Sequence, residues 1–177
     1  CKAKKLNSIT LPSISGGTVS GLMCSVNWFF TDSHEDFAIF QIVVKNDSKD
    51  GTYYPQYINR ITLDSNGEYA LCYQARTETL LINDTPTETS LPEGYGVAPF
   101  LYVHRVLDFI FSEFGYTITE NPFKTDKELS SLVILNNAAD CCVTGILNYA
   151  DLMPDCTIED FLNALYVRFG LVYNVSS

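Results

Sequence analysis

Apolar residues recur every three or four positions in two stretches of the C-terminal half: Leu107, Ile110, Phe111 and Phe114, then Leu162, Leu165, Tyr166 and Phe169. That i, i+3, i+4, i+7 spacing traces one face of a helix, so each stretch predicts an amphipathic helix with a side to bury. A glycine follows each helix, Gly115 and Gly170, and β-rich residues follow each glycine, at 116–118 and 171–173. Glycine suits the left-handed position that closes a helix, and the residues beyond it are expected to run out as a strand. The copies align at a constant offset of 55 residues (170 − 115). The second half is therefore expected to hold two related helix–strand modules, a kind of unit that serves assembly more often than catalysis.

The first half has a different rhythm. Short β-type runs at 18–30, 37–45, 57–63, 68–73 and 78–82 are separated by polar, turn-forming residues at 32–36, 46–51 and 64–67. The last separator carries Asn66-Gly67, a hairpin signal because both residues tolerate positive φ. An antiparallel β-rich sheet or small barrel is expected over residues 1–84. Residues 85–98, rich in proline, glycine and hydroxyl side chains without apolar periodicity, read as a connecting loop. An α+β domain is then expected over 99–177. Its first helix would begin at Pro99, where a missing N–H costs nothing, and run to about 114. Asn121-Pro122 breaks the chain, 125–129 suits a short helix, 132–135 suits a buried strand, and Thr157 with Asp160 reads as a capping box. The fold class is α+β.

Charge and composition exclude some functions. At 177 residues and 46% hydrophobic the chain can bury a core. Its 11 basic and 21 acidic residues give a net charge of −10, which repels phosphate backbones and anionic lipid. A nucleic-acid function is disfavoured. The most apolar stretch, 101–114, is broken by His104, Arg105, Asp108, Ser112 and Glu113, so no membrane span is expected. The sequence opens on Cys1 and stops just past the β-like residues 171–175, which reads as a piece of a longer protein; an acylated Cys1 of a lipoprotein is the rival reading.

The six cysteines, at 1, 24, 72, 141, 142 and 156, form no C-x-x-C pair, and adjacent Cys141 and Cys142 are poorly placed for a shared tetrahedral zinc. Cys24 and Cys72, within strand-like runs, are expected to be small buried hydrophobes. His34, in the acidic turn 32–36, could ligate a metal but reads as part of a solvated loop; His104, between apolar neighbours, reads as structural. Asp140-Cys141-Cys142 has no histidine nearby to make a thiolate nucleophile. Gly94-Tyr-Gly96 matches neither common phosphate-binding pattern. The neighbouring pairs Glu35-Asp36 and Glu159-Asp160 cannot both point one way, and read as solvated charge and helix-start electrostatics. No catalytic, cofactor-binding or metal-ligating residue is assigned, and the chain is not expected to be an enzyme. Tyr53, Tyr54 and Tyr57, with Trp28, Phe29 and Phe30, are expected as sheet core, with sugar stacking or a subunit interface as alternatives.

Residues 93–107 (Glu93-Gly-Tyr-Gly-Val-Ala-Pro-Phe-Leu-Tyr-Val-His-Arg-Val-Leu107), 114–123, 132–137 and 152–165, with Phe169-Gly170, together resemble tail or baseplate proteins encoded by phages and prophages of Bacteroides-type bacteria. More distantly, the helix–Phe-Gly–strand unit is similar to pieces of phage tail hub proteins of the late-control type. The resemblance implies a virion structural component, made in the bacterial cytoplasm, that packs against copies of itself and neighbouring tail proteins, with no catalytic residues to carry over. The alternative is a bacterial surface lipoprotein or carbohydrate-binding module, resting on Cys1 and the Tyr53 to Tyr57 cluster.

Overall fold

A computed structural model describes residues 3–26, 34–39 and 59–174, with the backbone alone for Tyr69 and Leu81. The chain is α+β. Among the described residues the strands form four two-stranded antiparallel pairs and no closed barrel. In chain order the elements are β1 (Ser13–Ser15), α1 (Val19–Ser25), β2 (Phe37–Ala38), β3 (Ile61–Leu63), β4 (Tyr69–Leu71), β5 (Arg76–Ile82), β6 (Thr85–Leu91), β7 (Phe100–Leu101), α2 (Val103–Glu113), α3 (Pro122–Thr125), β8 (Ile146–Asn148) and α4 (Ile158–Phe169).

Two strand pairs are local hairpins. Between β3 and β4 the pair Leu63↔Tyr69 encloses residues 64–68. The Asp64 carboxylate accepts the N–H groups of Asn66 and Glu68, at 2.8 and 2.9 Å, and Gly67 takes φ 79°. The hairpin expected at Asn66-Gly67 is present, but only the glycine adopts positive φ. Between β5 and β6, Ile82↔Thr85 closes a two-residue turn in which Asn83 and Asp84 both take left-handed φ, 49° and 61°. That backbone twist matches the twist of paired strands, so the hairpin is tight. The connecting loop expected over 85–98 is thus corrected: its first half, Thr85–Leu91, is β6. Pro86 does not forbid this, because a two-stranded sheet has only edge strands.

The other two pairs are long-range. β1 pairs with β8 through Ser13↔Asn148, and β2 with β7 through Phe37↔Leu101. Both reach across residues 85–98, and so does the main core, where Leu6, Leu22 and Phe37 pack with Val97, Leu101, Val106, Leu147 and Leu152. A second cluster, Val103, Leu107, Phe123 and Leu165, lies on the other side of α2. α2 is thereby buried on two flanks, and it ties the clusters together.

Several expected elements are corrected. Residues Val19–Ser25, expected within a strand, form α1. Thr18 caps it by accepting the Gly21 N–H at 3.0 Å, and buried Val19, Leu22, Met23 and Val26 supply a helical stripe. α2 begins at Val103 rather than Pro99, because Phe100 and Leu101 are taken up by the β2 pairing. The short helix expected at 125–129 starts earlier, as α3, where the Asn121 side chain accepts the Phe123 N–H at 3.0 Å and Pro122 occupies the first turn. Residues 132–135 make one bridge, Tyr102↔Val133, instead of a buried strand. The strands expected at 116–118 and 171–173 do not form; those residues find no partner strand among the described residues. No helix among the described residues is long and apolar enough to cross a membrane.

Candidate assembly surface

Each of the two related helices ends for a local chemical reason. At the end of α2, the Gly115 N–H donates to Ser112 at 3.0 Å and the Tyr116 N–H to Phe111 at 2.9 Å, with Gly115 at φ 79°. This double bond pattern closes the helix and turns the chain back along it. α4 opens with Thr157 and Asp160 in the expected capping box, and closes at Gly170, φ 68°, whose N–H donates to Tyr166 at 2.8 Å. The residues after each glycine fall beside the helix ends.

Between them lies an open groove with a volume of about 990 Å³. Phe111, Phe114 and Tyr116 wall one side, Leu162 and Tyr166 the other, and Leu171, Val172 and Tyr173 run along it. A cavity of about 380 Å³ continues the groove past Ile118 and Glu120. The Phe111 and Tyr173 rings of the wall meet edge to face at 5.5 Å, so part of the wall is fixed by aromatic packing. Lys4 forms an ion pair with Glu113 beside the Phe114 ring, and Glu113 also accepts the Thr10 N–H at 2.8 Å. The lysine, then the Thr10 N–H, hold the Glu113 carboxyl down at about 2.

Much of this wall faces solvent: Phe114 is 53% exposed, Tyr166 57%, Val172 70% and Tyr173 55%. Phe114, Tyr166 and Phe169 were expected on buried faces. The buried positions are Val103, Val106, Leu107 and Ile110 of α2 and Ile158 and Leu165 of α4, so the apolar stripes outrun the buried core. Covering the exposed half of each large side chain would stabilise a complex by on the order of 1 kcal/mol apiece. Contiguous exposed apolar surface of this kind marks interaction sites in folded proteins.

The other candidate residues are placed elsewhere. Asp36, expected as solvated charge, is buried; it forms an ion pair with Arg105 and accepts the Tyr149 hydroxyl at 2.9 Å. Burial, then the neighbouring Asp36, push the Tyr149 hydroxyl up, so it stays a donor. This network joins residues 69 and 113 positions apart, and no sequence spacing announces it. His34 stacks on Phe37 with centroids 4.4 Å apart, and its Nδ1 accepts the Asp36 N–H at 3.2 Å. His104 stacks on Tyr102, and burial lowers its pKa. Among the described residues no group of three or more His, Cys, Asp or Glu side chains could hold a metal ion.

Cys141 and Cys142 are buried with their Sγ atoms 3.7 Å apart, and the hydrogen bond to Cys141, followed by burial, pushes the Cys142 thiol up. Asp140 is exposed beside them. Cys24, expected to be buried, is exposed on α1, because the helix turns it away from the Leu22–Met23 face. The Gly94-Tyr-Gly96 backbone offers no anion cradle: its three N–H groups donate to Tyr73, Pro92 and Ala139. Cys1, Trp28, Phe29, Phe30, Tyr53, Tyr54 and Tyr57 lie outside the described residues. No family model, no curated protein and no solved structure matches the chain.

Proposed function

We propose that this chain is a structural component of a phage or prophage tail tip or baseplate, and that it acts by assembling with copies of itself and with neighbouring tail proteins. The observation that carries the assembly reading is the exposed aromatic groove between α2 and α4, with Phe114, Tyr166 and Tyr173 each more than half exposed. The assignment to a tail rests on the resemblance of residues 93–107 and of the Phe114-Gly115 and Phe169-Gly170 units. Its mechanism is geometric: apolar faces set at fixed angles by capped helices determine how subunits close into a ring.

Two measurements test the reading. Light scattering after size exclusion, over a concentration series of the full natural chain, is expected to give a discrete closed oligomer. A monomer at every concentration would refute self-assembly. Mass spectrometry of purified particles is expected to find the protein in the virion; particles that lack it would refute the tail assignment.

A further inference from the structure

Resting on that assembly reading, we infer that the groove between α2 and α4 receives a segment of a different protein chain, apolar in its middle and carrying Lys or Arg at both ends. The apolar floor runs between two acidic ends. Glu159 and Asp160 stand where α4 begins, and Glu120 stands at the far end of the adjoining cavity. Asp160 is occupied by its capping bonds to Thr157, while Glu159 and Glu120 are exposed and form no ion pair with any described residue. The cation that lines the groove, Lys4, is already paired with Glu113.

A second copy of this chain is a poor match for those ends. It would bring its own net charge of −10 against the same excess, and like charges brought together at an interface cost affinity. A cationic, apolar segment meets both demands of the surface. Its large side chains cover the exposed faces of Phe114, Tyr166 and Tyr173, and its terminal cations meet Glu120 and Glu159. Complementary charge also hastens encounter, and the effect is strongest at low salt.

The test uses the full chain and two labelled peptides, Lys-Lys-Leu-Phe-Val-Leu-Lys-Lys and Glu-Glu-Leu-Phe-Val-Leu-Glu-Glu, titrated by fluorescence anisotropy at low and high salt. The lysine peptide is expected to bind about tenfold more tightly at low salt, with the margin shrinking as salt rises, as rim ion pairs do. Glu120→Lys with Glu159→Lys should reverse the preference, and Phe114→Ser with Tyr166→Ser should abolish binding of both peptides while the melting temperature holds. Equal binding of the two peptides, or binding indifferent to the groove variants, overturns the inference. A self-association that strengthens with salt and disappears in Tyr166→Ser identifies a second copy as the occupant; it overturns the inference and leaves the assembly reading standing. No binding of either peptide, together with a monomer at every concentration, removes both.

Discussion

Replacing Tyr149 by Phe removes one oxygen from the interior and leaves the ring in place. That oxygen donates to the Asp36 carboxylate at 2.9 Å, in a site where Tyr149 is fully buried and Asp36 is 6% exposed. Water cannot replace the lost donor. The carboxylate keeps its ion pair with Arg105, and the Asp36 carbonyl keeps the Tyr102 N–H at 2.9 Å, so the local backbone should hold. A hydrogen bond to a charged group contributes roughly 1.5–3 kcal/mol, and with one strong partner retained the lower half of that range applies, about 1.5–2 kcal/mol. For a chain of this size the loss corresponds to a fall in Tm of roughly 3–8 °C. Urea unfolding should show a lower midpoint with an unchanged slope, since the same surface is exposed. Tyr173→Phe, at an exposed phenol, serves as the control and should stay within about 0.5 kcal/mol of the parent. If Tyr149→Phe also stays within that margin, the hydroxyl does not hold Asp36 and the reasoning fails.

Three further outcomes are expected. Glu113 has a folded-state pKa near 2 against 4.5 for the free side chain, so folding favours its charged form; its contribution is complete above about pH 4.5 and is lost as pH falls toward 2, and Glu113→Gln should flatten stability against pH across that window. Gly94→Ala combines φ +87° with a Cβ placed 2.9 Å from the Cys142 carbonyl oxygen, so it should cost roughly 2–5 kcal/mol by chemical denaturation. Gly170→Ala meets no neighbour and should cost only about 1–2 kcal/mol from its left-handed φ; equal losses at the two glycines would contradict the packing. Maleimide labelling with peptide mapping should modify exposed Cys24 under native conditions and spare Cys141 and Cys142 until the chain is unfolded, and early labelling of Cys142 would show that its site opens.

The parts of the fold legible in the sequence are those whose cause is local. α4 could be read from Thr157, Asp160 and Gly170 because cap, box and terminator all act within a few residues of one another. The β3–β4 turn was legible for the same reason, since Asp64 and Gly67 decide it without outside help. α1 was misread because Val19, Leu22, Met23 and Val26 have a helical period, but lie in a segment whose residue types favour strands; Thr18 and the core decided the outcome. β6 was missed because Asn83-Asp84 lacks the glycine that usually advertises such a turn. At the groove, the periodicity located Phe114, Tyr166 and Phe169 on one stripe of each helix. It did not say how far the core extends beneath the stripe, because that depends on Leu6, Leu22 and Leu147, brought in from distant segments. The Asp36–Arg105–Tyr149 network was illegible for the same physical reason.

The closure of the first residues onto the last helix sets an order of events. The Leu6 N–H donates to Cys156 at 2.9 Å, the Ile158 N–H donates to Lys4 at 3.0 Å, and β1 pairs with β8. Leu6 and β1 leave the ribosome long before Cys156 and β8, with which they pair, exist. At about 5–20 residues per second, the interval from residue 6 to residue 158 is roughly 8–30 s. Through that time the pairing of β1 with β8 and the bond from Leu6 to Cys156 cannot form, and loop-closure entropy opposes closing so long a loop. The N-terminal segment is a latch whose catch is made late, so a nascent chain stalled before Leu147 would leave β1 without its partner strand.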